Sequence, residues 1–166
     1  MGMYADYMAV SDSELDSMME LSEEKLIKRI EELESLDETD ICSLDKYWDG
    51  MHFLLTGKSA QDPIDDDELS AAVVGVHNFE TDESFIACIE VGELEDVVKE
   101  MEKIDLNTFW EKRKLSSFRK KKIYPDIWKD EDEEELKAEM ADAFNDLLEF
   151  YQSSLKNGMN IIISIY

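Results

Sequence analysis

An α+β fold is what this sequence predicts, with a small mixed sheet covered by several helices in one domain spanning residues 1–166, and three observations carry it. Apolar, branched and aromatic stretches stand at the start (MGMYADYMAV), in the middle (FIACIEV, Phe85 to Val91) and at the end (MNIIISIY), each with the composition of a strand. Between them, apolar residues recur every three or four positions, the spacing of helices with one buried stripe. A chain of 166 residues can bury about 70% of its unfolded surface, enough for a core without disulfides or metal.

The first ten residues have Asp6 as their one charge and read as a largely buried strand. Ser11 and Glu14 have capping-box spacing, which satisfies two orphan amides and starts a short helix carrying Leu15, Met18 and Met19. Leu26, Ile27, Ile30 and Leu33 then mark a second helix. Asp37 to Asp40 is a polar break, after which Ser43 can cap a helix over Leu44 to Gly57, closed by the glycine. The polar loop from Lys58 to Asp66 contains Pro63, and a short helix from Asp67 to Val74 stops at Gly75. After the Phe85 strand, Gly92 separates a helix presenting Leu94, Val97, Val98 and Met101. Asp105 and Thr108 open another, carrying Phe109, Trp110 and a basic run that ends at Tyr124-Pro125, where the pre-proline residue is pushed out of helical geometry. The longest helix runs from Glu131 to Lys156, with Leu136, Met140, Phe144, Leu147, Tyr151 and Leu155 on one stripe and acids in its first turn. Asn157-Gly158 ends it. The nearly continuous apolar final strand belongs in the centre of a sheet, covered on both faces. No repeat, linker or second domain is visible.

The formal charge is −25, from 42 acidic and 17 basic residues. Such a surface opposes sequence-independent binding to nucleic acid or anionic lipid, which relies on phosphate neutralisation by Lys and Arg. Seven of the basic residues, Lys112, Arg113, Lys114, Arg119, Lys120, Lys121 and Lys122, fall within eleven positions, so charge is segregated along the chain. That segment lacks the interleaved aromatics of a single-strand platform. It reads as neutralising a neighbouring acidic surface, or as one pole of a dipolar molecule whose acidic face recruits a basic partner. Cys42 and Cys88 lack C-x-x-C spacing and read as reduced, packed thiols. There is no signal-peptide pattern and no apolar run long enough for a membrane span. Asp6 stands where a myristoylation motif needs Ser or Thr. A soluble cytoplasmic protein is expected.

No catalytic signature is complete. Gly57-Lys58-Ser59 ends like a phosphate loop, but His52 occupies the place of the first glycine and a helix precedes. The acidic runs Asp65-Asp66-Asp67-Glu68 and Asp130 to Glu135 lack the turn glycine of a calcium loop. Neither G-x-S-x-G nor H-E-x-x-H occurs. The best local constellation is Trp48, Asp49 and His52, within one helical turn. A carboxylate three residues from an imidazole could hold its tautomer as a general acid or base requires, and Trp48 could stack a planar ligand, with Tyr124 as a further wall. The same residues beside Leu44, Met51 and Leu55 also suit plain packing. No catalytic residue, metal ligand or cofactor is assigned.

Several short motifs occur in a characteristic order: Met1-Gly2-Met3, Trp48-Asp49, His52-Phe53, Leu55-Thr56-Gly57, Leu69-Ser70, Ala72-Val73, Gly75 and Ile123-Tyr124-Pro125. In these the chain resembles the YfbM-like family of small bacterial proteins, from end to end. The resemblance implies a compact α+β domain and supplies no catalytic residue. Two functional expectations remain. One is a non-enzymatic acidic protein, an antagonist or immunity-type binder, that captures a basic protein through carboxylates such as Asp65, Asp66, Asp67, Asp130, Glu131 and Asp132. The alternative is a small-molecule binder or hydrolase-like enzyme with a cleft around Trp48, Asp49, His52 and Tyr124.

Overall fold

Five strands form one antiparallel sheet in the order β2-β1-β5-β4-β3. They are β1 (Ala5–Val10), β2 (Ile41–Asp45), β3 (His77–Asn78), β4 (Phe85–Ile89) and β5 (Asn160–Ile165). The computed structural model describes residues 2–166; Met1, counted above in the first strand and in the family motif, lies outside the described residues. The fold is α+β as expected, but every strand pair is antiparallel. The sheet is therefore not mixed, and it gains two short edge strands. β5 is central, with Ala5 opposite Ile165 on one side and Phe85 opposite the same residue on the other. Its residues Asn160 to Ser164 are buried.

Side-chain alternation divides two cores between the faces of this sheet. Ala5, Tyr7, Ala87, Ile89, Ile161 and Ile163 belong to the larger core. Met8, Val10, Ile86, Cys88 and Ile162 belong to the smaller. Helices α1 (Asp12–Met19) and α2 (Glu23–Glu34) cover the smaller core through Leu15, Met18, Leu26, Ile30 and Leu33. The larger is covered by α3 (Trp48–Thr56), α4 (Glu68–Val74), α5 (Val91–Glu102), α6 (Leu106–Lys112), α7 (Leu115–Lys120) and α8 (Glu133–Lys156). On α8 the stripe Leu136, Met140, Phe144, Leu147 and Tyr151 is buried, each large side chain stabilising by roughly 1.5–3 kcal/mol. Ser154 joins that stripe, while Leu155 is only half-buried.

The strands are shorter than expected, β1 starting at Ala5 and β4 ending at Ile89 with Val91 opening α5, and four further boundaries differ. Ser43 does not cap α3 but sits in β2, where its hydroxyl donates to the Ala5 carbonyl at 3.3 Å; the helix begins at Trp48. Gly92 lies inside the first turn of α5, which starts at Val91 with the Glu93 carboxylate accepting the Glu90 amide at 3.0 Å. The basic run is split from Phe109 and Trp110, because Arg113 adopts an extended conformation between α6 and α7. Glu131 belongs to a 3₁₀ turn, Asp130–Asp132, ahead of α8.

Half of the anticipated capping box forms. Ser11 Oγ accepts the Glu14 amide at 3.2 Å, but the Glu14 carboxylate takes Arg29 in a two-pronged pair at 2.7 and 2.9 Å. A bidentate guanidinium outcompetes the return bond to the cap. This pair ties α1 to α2, and the Glu23 carboxylate ties α2 to the β3–β4 turn by accepting the amides of Asp82, Glu83 and Ser84 at 2.8 to 3.1 Å. Those amides hold the Glu23 carboxyl below its ordinary range.

Candidate functional site

Helix α3 is the hub on which the sequence-derived candidates meet. Gly57 ends it at φ +82°, donating its amide to Phe53 O at 2.8 Å. The Arg113 guanidinium lies over that glycine and donates to the Leu54 carbonyl at 2.8 Å, complementing the negative end of the helix. At the other end Trp48 donates through Nε1 to Met3 O at 3.2 Å and stacks on Tyr124, ring centroids 5.5 Å apart. The Tyr124 hydroxyl accepts the Met3 amide at 2.6 Å.

Asp49 is 1% exposed. Its Oδ1 accepts the Ala60 amide at 2.7 Å and the Ser59 hydroxyl at 2.9 Å, while Oδ2 accepts the Tyr124 amide at 2.9 Å. His52 is fully buried. Its Nδ1 faces the Lys58 carbonyl at 2.7 Å, which can only accept, so the ring proton resides there. Nε2 therefore accepts the Ser70 hydroxyl at 2.8 Å, and Ser70 Oγ in turn accepts the Ile64 amide at 3.0 Å. Burial pushes the imidazole pKa below its ordinary value, opposed by the Lys58 carbonyl and by the charges of Asp49, Asp67 and Asp62. Trp48, Asp49, His52 and Tyr124 are thus brought together, yet no hydrogen bond links Asp49 to His52. Each polar group is turned onto the protein's own chain. Among the described residues, no buried side-chain nitrogen or oxygen lacks a partner.

Ser70 and His52 have the spacing of a hydroxyl and its base. Ser70 is only 1% exposed, however, and its oxygen already holds an amide. The space beyond it is lined with carboxylates, which would repel a developing oxyanion. What the pair does is fasten the segment from Lys58 to Ser70 onto α3.

That segment forms one wall of a cleft of about 610 Å³ to which Trp48, Asp49, His52 and Tyr124 contribute nothing. Asp65, Asp66, Asp67 and Glu68 stand on this wall, and Glu93 and Asp96 of α5 on the opposite one. Ala71, Val74, Val76, Phe85 and Val97 supply apolar lining, and no Lys or Arg lines the cleft. Asp67 also caps α4, accepting the Ser70 amide at 2.9 Å. Glu93 and Asp96 were not among the sequence candidates; nothing in their helical spacing separates them from any solvated acidic face. Asp130, Glu131 and Asp132 do not line the cleft, and Asp130 pairs with Arg119 at 2.9 Å. Of the basic segment, Arg113 serves a backbone carbonyl and Arg119 takes Asp130. Among the described residues, Lys112, Lys114, Lys120, Lys121 and Lys122 form no ion pair and are exposed.

One group among the described residues could hold a metal: an imidazole nitrogen of His77 and carboxylate oxygens of Glu90 and Glu93 lie within 4.8 Å of one another. Both oxygens of Glu93 already accept from His77 Nε2, at 2.9 and 3.1 Å.

Comparison with known proteins agrees with this architecture. The chain is 30% identical to protein YfbM of Escherichia coli strain K12, covering 99% of each sequence. Its structure superposes on the crystal structure of YfbM, described as a protein of unknown function, with a TM-score of 0.81 and 25% identity, over 98% of this chain and 99% of that one. A family model described as a domain of unknown function, DUF1877, matches residues 1–164. On the strength of that near end-to-end match, the chain belongs to the DUF1877 family.

Proposed function

We propose that this protein acts without catalysis, as an acidic cytoplasmic interaction protein of antagonist or immunity type that captures a basic protein partner in the cleft between α4 and α5. The observation that carries the reading is the cleft itself, six carboxylates around an apolar floor with no Lys or Arg in the lining and only Glu93 paired, to His77. A partner's Lys and Arg heads would meet the two acidic walls while apolar side chains or stems cover the exposed Val76 and the half-buried Ala71 and Phe85. Charge of this kind accelerates encounter and rejects acidic competitors, and the apolar floor supplies the affinity. Two free cysteines suit a reducing compartment, and no helix among the described residues is long and apolar enough to cross a membrane.

The test is a pull-down from cell extract at low and moderate salt. Asp65, Asp66, Asp67, Glu93 and Asp96 are changed together to their amides, which keep the helix caps. Five rim charges at a few tenths of a kcal/mol each should weaken capture about tenfold or more, with most of the loss in the association rate. Amide replacement of Asp130, Glu131 and Asp132 should leave it unchanged. Failure to retain any basic partner at either salt concentration, or loss of the partner only in the Asp130 variant, refutes the reading.

A further inference from the structure

We propose that the basic partner enters the cleft as an extended chain segment that adds to the free edge of β3, aiming alternate side chains at the acidic walls. The proposal rests on the reading above and specifies the partner's conformation. β3 is the last strand of the sheet and pairs on one side only, with His77 opposite Cys88 and Asn78 opposite Ala87. Val76, His77 and Asn78 are all exposed. Gly75, Val76 and Asn78 belong to the cleft lining, so the strand's open edge and the carboxylate walls are parts of one surface.

An edge strand left open is a template for another strand. Main-chain hydrogen bonds then supply sequence-independent affinity, and pockets for alternate side chains supply selectivity. Asn78 shows which face those side chains would share. It pairs with Ala87 of the larger core and lines the cleft, whereas His77 pairs with Cys88 of the smaller core. An added strand in register places every second side chain on the Asn78 side, toward the wall of Asp65, Asp66 and Asp67. A second copy of this chain is a poor occupant, because each copy carries −25 and would bring its own acidic cleft to the contact. Like-charge repulsion guards the edge against self-pairing, whereas a basic segment passes.

The experiment titrates the full-length protein with an acetylated, amidated hexapeptide of alternating Lys and Val by calorimetry. It also uses two versions of that peptide, each N-methylated on one alternate set of amides. Whichever set faces β3, one version cannot pair and the other can. The expected result is binding of the parent peptide, retention by one methylated version, and a loss of about tenfold or more by the other, the equivalent of one or two hydrogen bonds. Amide exchange at Asn78 should slow on binding, because the Val76 and Phe79 amides already donate to Cys88 O and Ile86 O of β4. Equal binding of both methylated peptides, with binding lost in the five-amide cleft variant, overturns the strand-addition proposal and leaves the electrostatic reading standing. No binding of the parent peptide, or equal binding to the wild type and the cleft variant, overturns both.

Discussion

Replacing Asp49 by Asn tests whether the hub on α3 is structural. The carboxylate accepts three hydrogen bonds, two from main-chain amides. An Asn can keep its amide oxygen on Ser59 and Ala60, but its NH₂ then faces the Tyr124 N–H, donor against donor. Losing a charge-assisted bond costs about 1.5–3 kcal/mol, and leaving the Tyr124 amide unpaired adds about 1–3 kcal/mol. Removing a buried charge returns some desolvation energy, so the net cost is about 2–4 kcal/mol. Against a typical total of about 5–15 kcal/mol this is a large fraction, equivalent to a fall in Tm of roughly 5–15 °C for a domain this size. Urea unfolding followed by tryptophan fluorescence measures it. Asp49→Ala, which abandons all three donors, should cost more. Unchanged urea midpoints for both variants would refute the assignment of Asp49 as the tie between α3, the Ser59–Ala60 turn and Tyr124.

Two further outcomes follow from the same helix. The folded His52 has a lowered pKa, so above the ordinary histidine value of about 6.5 both folded and unfolded states hold it neutral and its network contributes fully. As pH falls below that value the unfolded chain gains a proton that the folded one refuses, and stability declines. Urea midpoints measured at about pH 7.5 and 5.5 should therefore fall more steeply for the wild type than for His52→Gln, and equal slopes would contradict this. Gly50→Ala should destabilise despite better helix propensity, because a Cβ there would lie 2.3 Å from Trp128 Cη2. Trp128 is nearly fully buried and anchored by its Nε1 to Ile123 O at 2.9 Å, so overpacking should cost about 1–3 kcal/mol and change the near-ultraviolet circular dichroism.

Periodicity made α2, α5 and α8 legible, because a stripe of Leu, Ile, Met and Phe at helical spacing has one efficient burial. It also identified β5 as central, since a run such as Ile161-Ile162-Ile163 needs cover on both faces. β2 and β3 escaped notice for a physical reason: ICSLD has two exposed ends and β3 has only two residues, so pairing with β1 and β4 defines them rather than their own composition. Strand direction was illegible too, since it depends on which end of β5 each connection reaches. At the site, the proximity of Trp48, Asp49 and His52 was readable from spacing, but their direction was not. It depends on the return of the Lys58–Ser70 segment across α3. Asp65–Asp67 stood out as a run. Glu93 and Asp96, 26 or more positions further on, become their counterparts only through the packing of α4 against α5.

Because β5 occupies the middle of the sheet, the piece that joins β1 to β4 is made after all the other strands. Until residues 160–165 leave the ribosome, the nascent polypeptide holds two apolar ribbons with nothing between them. The sheet can close only by a late insertion between strands already made, pairing β5 with β1 partners 150 to 160 positions apart. Assembly should accordingly be slow for a chain so rich in helix, and shielded meanwhile from clumping by its many negative side chains.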